Sequence, residues 1–489
     1  MSKGNESSRR EFIRGVSWLT TGVVTAGCVS RLAQAGSGSM ANFSTAPIRT
    51  IHVGFIGIGE RGTAAVHRVT LFPNVEATAL CDLRAEAVEE AVKWLKENRK
   101  PGAMHEYKGT ADIWRKVCDD PAVDVVYIVT PADLHVEMAT YAMEAGKHVM
   151  VEVPGAQTLE DCWRMVETCE RTRCHCQMLE NCCYGEDELL AWEIVHKGLL
   201  GTLTHAEGAY IHDLCWRHLE NSFRNKGRYS PGQIVHSYGN RYPTHPLGPI
   251  CTYMDMNRGD CMESVVSVSS CEAAHSEFAA VTYGPDEWQN KIRWRTGDMN
   301  TSIIRTARGR TIMLQYDLST PRPYSRINLI QGTKGFFRSY PENAPQATFA
   351  KKPGGDAMGW KDKEYELFEG ETFKELREKY RHPLWRRVGQ AAKTVGGHGG
   401  MDFIMDLRWI FCLQNGLPLD MDVYDLASWS AIVPCSAESD RNGGVPVRIP
   451  DFTRGAWKTA KPVSIGDVDL EKMGFDPSLL KKDDRQLSV

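Results

Sequence analysis

The sequence predicts a two-domain α/β chain. An N-terminal doubly wound parallel sheet is expected over residues 51–181, followed over 182–456 by a second α+β domain with a largely antiparallel open sheet. Three observations predict it. A glycine-rich turn joins an apolar run to a helical one within residues 53–69. Strand and helix signals then alternate as far as residue 179. Between residues 265 and 331 strand signals follow one another with no long helix between them.

The first strand, 53–58, lies in Val53-Gly54-Phe55-Ile56-Gly57-Ile58-Gly59-Glu60-Arg61-Gly62, and a helix is expected over 63–69. Gly57 permits the tight turn, Gly59 lets backbone approach a pyrophosphate, and Gly62 allows close helix–strand packing. The helix N-terminus faces the phosphate charge. A second strand, 75–81, ends at Asp82, where an acid binds an adenosine ribose 2′-hydroxyl and repels a 2′-phosphate. Strand, spacing and acid together read as a Rossmann dinucleotide site that favours NAD over NADP, although Arg84 weakens the preference. There follow a helix over 85–98, a very apolar strand over 123–130, a helix over 136–145 stopped by Gly146, and a strand over 148–153. A helix over 158–169, with Thr158 and Asp161 spaced as a capping box, and a strand over 174–179 complete the alternation.

After Asn181 the pattern changes. A helix over 186–197 and a strand over 204–210 precede an irregular stretch rich in His, Tyr, Arg and Gly. Strands are expected at 265–270, 301–307, 311–316 and 326–331, and helices at 401–413 and 423–436. Residues 457–489 read as a loosely docked tail.

The 489 residues carry a net charge of -4, which offers no nucleic-acid footprint, and no apolar run after the N-terminus is long enough to span a bilayer. Residues 1–35 read as a twin-arginine export signal. Arg9-Arg10 precedes a short apolar stretch, and Leu32-Ala33-Gln34-Ala35 offers a small-residue cleavage site. A polar linker over 36–50 follows. The protein is therefore expected in the periplasm or outside the cell. A lipoprotein anchor at Cys28 is the weaker alternative, because Thr25 fits that signal poorly. The twin-arginine route carries folded proteins, so NAD would be loaded before export, held tightly and regenerated in every turnover. The 15 cysteines form no disulfide framework. Cys169, Cys174, Cys176, Cys182 and Cys183 lack paired metal-knuckle spacing, so they read as buried small side chains and no metal site is assigned.

Further motifs suggest a family. Thr130-Pro131 with His135, then Glu144-Ala145-Gly146-Lys147-His148-Val149, then Glu152-Val153-Pro154, resemble the Gfo/Idh/MocA oxidoreductases. Most members carry Glu-Lys-Pro, whose lysine assists catalysis; here Val153 stands at that position and cannot move a proton. The departure resembles one branch of the superfamily, the NAD-dependent α-N-acetylgalactosaminidases of glycoside hydrolase family 109. Its other matching pieces, in order, are Glu180-Asn181 with Cys183-Tyr184, Tyr210-Ile211-His212-Asp213-Leu214, Tyr242-Pro243-Thr244-His245, Met254-Asp255-Met256-Asn257-Arg258-Gly259, Arg322-Pro323-Tyr324, Gly397-His398-Gly399-Gly400-Met401-Asp402 and Asp422-Val423-Tyr424-Asp425-Leu426-Ala427.

The resemblance implies that Glu60, Arg61, Asp82, Ala132, Asp133, Leu134, His135, Glu152, Val153 and Asn181 contact NAD, alongside Gly57, Gly59 and Gly62. It implies that Tyr210, Tyr242, Pro243, Thr244, His245 and Tyr324 contact the sugar. A substrate arginine is expected upstream of Tyr242; Arg224, Arg228 and Arg241 are all candidates. The implied chemistry is hydrolysis of a terminal N-acetylgalactosamine by oxidation at C3, elimination across C1–C2, water addition and re-reduction. It needs a base near neutral pKa, a role that suits His245, and phenols to polarise the C3 oxygen, a role that suits Tyr242 and Tyr324. His398 is a second-tier candidate. A homodimer through the open sheet is also implied. Two rivals stay open at this point: a conventional NAD-dependent sugar dehydrogenase, against which Val153 counts, and a non-catalytic NAD-binding scaffold.

Overall fold

The computed structural model describes residues 38–98, 100, 102, 104–219, 237–350 and 365–480. The expected export signal and the candidates Arg224 and Arg228 lie outside the described residues. No helix among the described residues is long and apolar enough to cross a membrane.

Six strands form the first sheet: β1 (Ile51–Ile56), β2 (Val75–Asp82), β3 (His105–Lys108), β4 (Val125–Ile128), β5 (His148–Val151) and β6 (Cys176–Met178), in the order β3-β2-β1-β4-β5-β6. Every pair is parallel. β1 and β4 are almost wholly buried, as their largely apolar runs require of a parallel sheet covered on both faces; His52 of β1 is the partly exposed exception. The order reverses between β1 and β4, so the crevice for a ligand opens at their carboxyl ends, beside the glycine turn. β3, with the sequence His-Glu-Tyr-Lys, is a polar edge strand that hydropathy does not reveal.

The second sheet has nine strands: β7 (Leu203–Ile211), β8 (Met262–Ser269), β9 (Asn300–Thr306), β10 (Thr311–Asp317), β11 (Leu329–Gly332), β12 (Gly335–Arg338), β13 (Gln346–Ala350), β14 (Tyr365–Phe368) and β15 (Val447–Arg448). Their order is β14-β13-β12-β11-β7-β10-β9-β8-β15. All pairs are antiparallel except β7 with β10, which run parallel with Tyr210 beside Tyr316. The tyrosines at the ends of these central strands thus emerge side by side. Helix Thr244–Tyr253 lies against β7 so closely that a Cβ at Gly208 would come 2.7 Å from Pro246.

Several expectations are corrected. The strand expected at 326–331 starts at Leu329, because Ile327 and Asn328 have φ of 59° and 49°. The helix expected at 423–436 is two, Val423–Ser430 and Ile432–Arg441. The expected linker is docked over its described part: Met40 is buried, its N–H donates to the Tyr424 hydroxyl at 3.0 Å, and Arg173 donates to Gly38 O and Ser39 O. The described part of the tail, to residue 480, is docked too, with Ile465, Val468, Met473 and Phe475 buried. Helix Met401–Asn415, late in the chain, packs on the first sheet, where Asp406 accepts hydrogen bonds from Arg68 and from the Tyr127 hydroxyl of β4.

Candidate active site

The glycine turn has the shape its sequence predicts. Gly57 has φ of 90°, open to glycine, and a Cβ there would strike Val129 O at 2.5 Å. A Cβ at Gly62 would lie 1.9 Å from Gly57 O, so helix Glu60–Val69 can approach β1 only because this residue has no side chain. At Gly59 the nearest atom to an added Cβ is Arg84 Nη2 at 3.9 Å. That open cradle, beside the amino end of the helix, suits a phosphate group. Asp82 accepts the Ile58 N–H at 2.7 Å and the Arg84 N–H at 2.9 Å, while Arg84 also donates to Ile58 O. The acid is therefore fixed by the turn it serves, and the residues present fit the adenosine half of NAD.

The polar residues expected at the cofactor converge on one acid that the sequence did not single out. Asp402 accepts from Arg61 Nη1 at 2.6 Å and from Asn181 Nδ2 at 2.6 Å, and Arg61 Nε donates to Glu152 Oε1 at 2.6 Å. His398 Nδ1 lies 3.0 Å from both Asp402 Oδ2 and Arg61 Nη1. Gly396, Gly397, Gly399 and Gly400 all have positive φ, as does His398 at 47°, and this run carries the imidazole back to the network. Burial pushes the Asp402 carboxyl up, but Arg61 and Arg68 outweigh it and hold it well below the usual carboxylate range. Arg61, Glu152 and Asn181 are thus one rigid unit. Ala132, Asp133 and Leu134 form a short turn of 3₁₀-helix at the rim of the crevice, with Asp133 exposed. The His135 ring is buried between Pro154 O and Thr130 O, each at 2.8 Å, so its side chain ties this loop to the Val153–Pro154 segment.

The expected sugar residues also come together. Tyr210 and Tyr242 pack with Leu214, Tyr316 and Leu318, and Val153 packs against this cluster, joining it to the cofactor segment. Ring centroids lie 4.7 Å apart for Tyr210 and Tyr242, 5.4 Å for Tyr210 and His245, and 6.3 Å for Tyr210 and Tyr324. Tyr324 is the open member, 38% exposed, and its hydroxyl accepts from Arg326 Nη1 at 3.1 Å. Arg326 is itself held by buried Glu188 at 2.7 Å.

His245 stands in the first turn of helix Thr244–Tyr253, for which Pro243 is the N-cap residue; Thr244 is buried beside it. Pro246 falls early enough in the helix to cost no hydrogen bond. Nδ1 of His245 is 2.7 Å from Glu180 Oε1, and Nε2 is 3.3 Å from the Tyr242 hydroxyl. Burial raises the Glu180 carboxyl, but His245 and the Cys182 N–H outweigh it and keep it below the usual range, hence ionised. Glu180 is adjacent to Asn181 in sequence, so one dipeptide serves both halves of the site. Its role was not assigned from sequence, where it was noted only as part of a motif. Arg241 immediately precedes Tyr242 and acts electrostatically on His218. The arrangement offers a carboxylate-oriented imidazole, a phenol against it, and a second phenol polarised by a guanidinium, all beside a dinucleotide crevice.

The sequence is similar to known proteins over both halves of the chain. A family described as glycosyl hydrolase 109, C-terminal domain, matches residues 184–459, and one described as oxidoreductase family, NAD-binding Rossmann fold, matches residues 51–180. The chain is 44% identical over 421 residues to glycosyl hydrolase family 109 protein 2 of Phocaeicola vulgatus, covering 85% of this chain and 98% of that one. It is 41% identical over 469 residues to an alpha-N-acetylgalactosaminidase of Shewanella oneidensis, covering 94% and 98%. Among solved structures, levoglucosan dehydrogenase in complex with NADH and L-sorbose shares the fold at 20% identity and a TM-score of 0.58, over 83% of this chain and all of that one.

Proposed function

The chain belongs to glycosyl hydrolase family 109, and from that premise we propose that it releases terminal α-linked N-acetylgalactosamine from a glycan in an NAD-dependent hydrolysis without net oxidation. The observation that carries the reading is the contact of Val153, at the end of the cofactor crevice, with the tyrosine cluster that holds His245. The cofactor segment carries no proton-transfer group at that point, and the groups that move protons stand across it. NAD supplies, when bound, a reversible hydride acceptor for sugar C3; Gly59, Asp82 and the Arg61–Glu152–Asn181 unit would hold it.

The chain's own residues then manage protons and charge. A ketone at C3 makes the C2 proton acidic. His245, with Nδ1–H donated to Glu180, keeps its Nε2 lone pair to remove that proton. Tyr324, polarised by Arg326, donates toward the C3 oxygen as negative charge develops there, and Tyr242 shares protons with Nε2. Departure of the C1 oxygen needs no second carboxylate, in keeping with the place of NAD-dependent enzymes outside the two-carboxylate scheme. A sugar dehydrogenase of the ordinary type is not favoured, since it relies on the lysine that Val153 replaces. The name of the relative from Shewanella oneidensis supports the choice of sugar.

Arg9-Arg10 supports export in the folded state by the twin-arginine route, and a cofactor regenerated in each cycle needs no external supply there. Val266, Ile303 and Met313 are register neighbours on the open face of the second sheet, which supports a homodimer through that face. The functional reading is tested by incubating purified protein with a p-nitrophenyl α-N-acetylgalactosaminide and no added NAD. Release of nitrophenol by a preparation that yields NAD on denaturation supports it; bound NAD with no release refutes it.

A further inference from the structure

Away from the active site, Glu272, His275 and Asp298 gather where β8 meets helix Ala274–Thr282. A ring nitrogen of His275 and one carboxylate oxygen from each acid lie within 4.8 Å of one another. His275 is 3% exposed. Its Nε2 is 2.7 Å from Nδ1 of His218, and its Nδ1 has no hydrogen-bond partner. A buried ring nitrogen left unsatisfied costs free energy unless something absent from the polypeptide meets it. The two carboxylates are oriented independently: Asp298 accepts the N–H groups of Ala273 and Ala274, and Glu272 accepts the N–H and the hydroxyl of Ser276. The imidazole is fixed by stacking on Trp294, with ring centroids 4.2 Å apart.

We propose that Glu272, His275 Nδ1 and Asp298 form a binding site for a divalent transition-metal ion, with zinc the best match. One imidazole and two carboxylates suit zinc, and a ligand histidine ordinarily donates its other N–H to a partner outside the metal shell. His218 stands where that partner should be. No sequence spacing announces the site, because Asp298 comes from the approach to β9. The ion would brace three segments: the start of helix Ala274–Thr282, the approach to β9, and through His218 the helix Cys215–Leu219 that follows the Tyr210 strand.

The test is a zinc titration of the full-length protein after dialysis against a chelator, read by metal content and by Tm. One zinc per chain with a rise in Tm is expected. Glu272→Gln, at a half-exposed position, should weaken zinc at least about tenfold with the fold intact. His245→Ala should leave zinc unchanged, although Glu180, Cys182 and His245 also lie within 4.8 Å of one another. No retained zinc and no Tm rise in the parent protein overturns the proposal. So does zinc that survives Glu272→Gln and is lost with His245→Ala, which would put the metal in the catalytic cluster. Neither readout depends on turnover, so the proposal stands or falls apart from the glycosidase reading.

Discussion

Glu180 Oε1 lies 2.7 Å from His245 Nδ1, and Glu180 has no exposed surface at all. A buried, ionised carboxylate at that distance fixes which ring nitrogen carries the proton and turns the other toward the tyrosines. Replacing Glu180 by Gln keeps the volume but removes the charged acceptor. Turnover should fall by about 10²–10⁴-fold with KM little changed, since the loss is in orienting the base and not in holding sugar. Steady-state kinetics of Glu180→Gln checks this, with circular dichroism to show that the fold survives.

Tyr324 gives a second separation. Its hydroxyl meets Arg326 and its ring is open, so Tyr324→Phe removes a proton donor without leaving a cavity. The variant should fold as the parent does and lose about 10²–10³-fold in kcat, the size of one donor to a developing oxyanion. Equal activity in the two proteins would remove Tyr324 from the chemistry.

The glycine turn predicts two unlike alanine variants. At Gly59 a methyl group meets nothing closer than 3.9 Å, so Gly59→Ala should lose bound NAD and melt where the nucleotide-free parent melts. At Gly62 the methyl would come 1.9 Å from Gly57 O, so Gly62→Ala should lower Tm by several degrees whether or not nucleotide is present. Nucleotide released on denaturation, set beside melting curves, distinguishes them.

Asp402 ties Arg61, Arg68 and Asn181 across the two halves of the fold. Asp402→Asn leaves buried guanidinium charge uncompensated and should cost about 3–5 kcal/mol in urea unfolding. The acid's folded pKa is depressed, as is that of Glu180, so each contributes stability that is complete above the unfolded carboxylate range. That contribution is lost as pH falls below about 4 and through the folded values. Urea midpoints should therefore drop steeply in that acid window, and less steeply for Asp402→Asn.

Much of this was legible in the sequence because it is local. The glycine turn, Asp82 and the strand–helix alternation are written in runs of adjacent residues, and five of the six strands of the first sheet followed. The residues expected at the sugar could be grouped through motif order alone, since Tyr210, Tyr242, His245 and Tyr324 come from segments only the fold unites. The Asp402 hub and the Glu180 partner were not read, because long-range polar pairing leaves no periodic trace. The parallel pairing of β7 with β10 and the polar strand β3 escaped too: pairing direction leaves no hydropathy pattern, and β3 carries none.

The central claim is that the glycosidic bond breaks by elimination from a C2 anion, with a cofactor that is returned unchanged. Proton NMR of the purified protein with an α-N-acetylgalactosaminide in D₂O, and no added NAD, tests it directly. The account predicts released N-acetylgalactosamine carrying deuterium at C2, and none from His245→Ala. Release of the sugar with its C2 proton retained would contradict it.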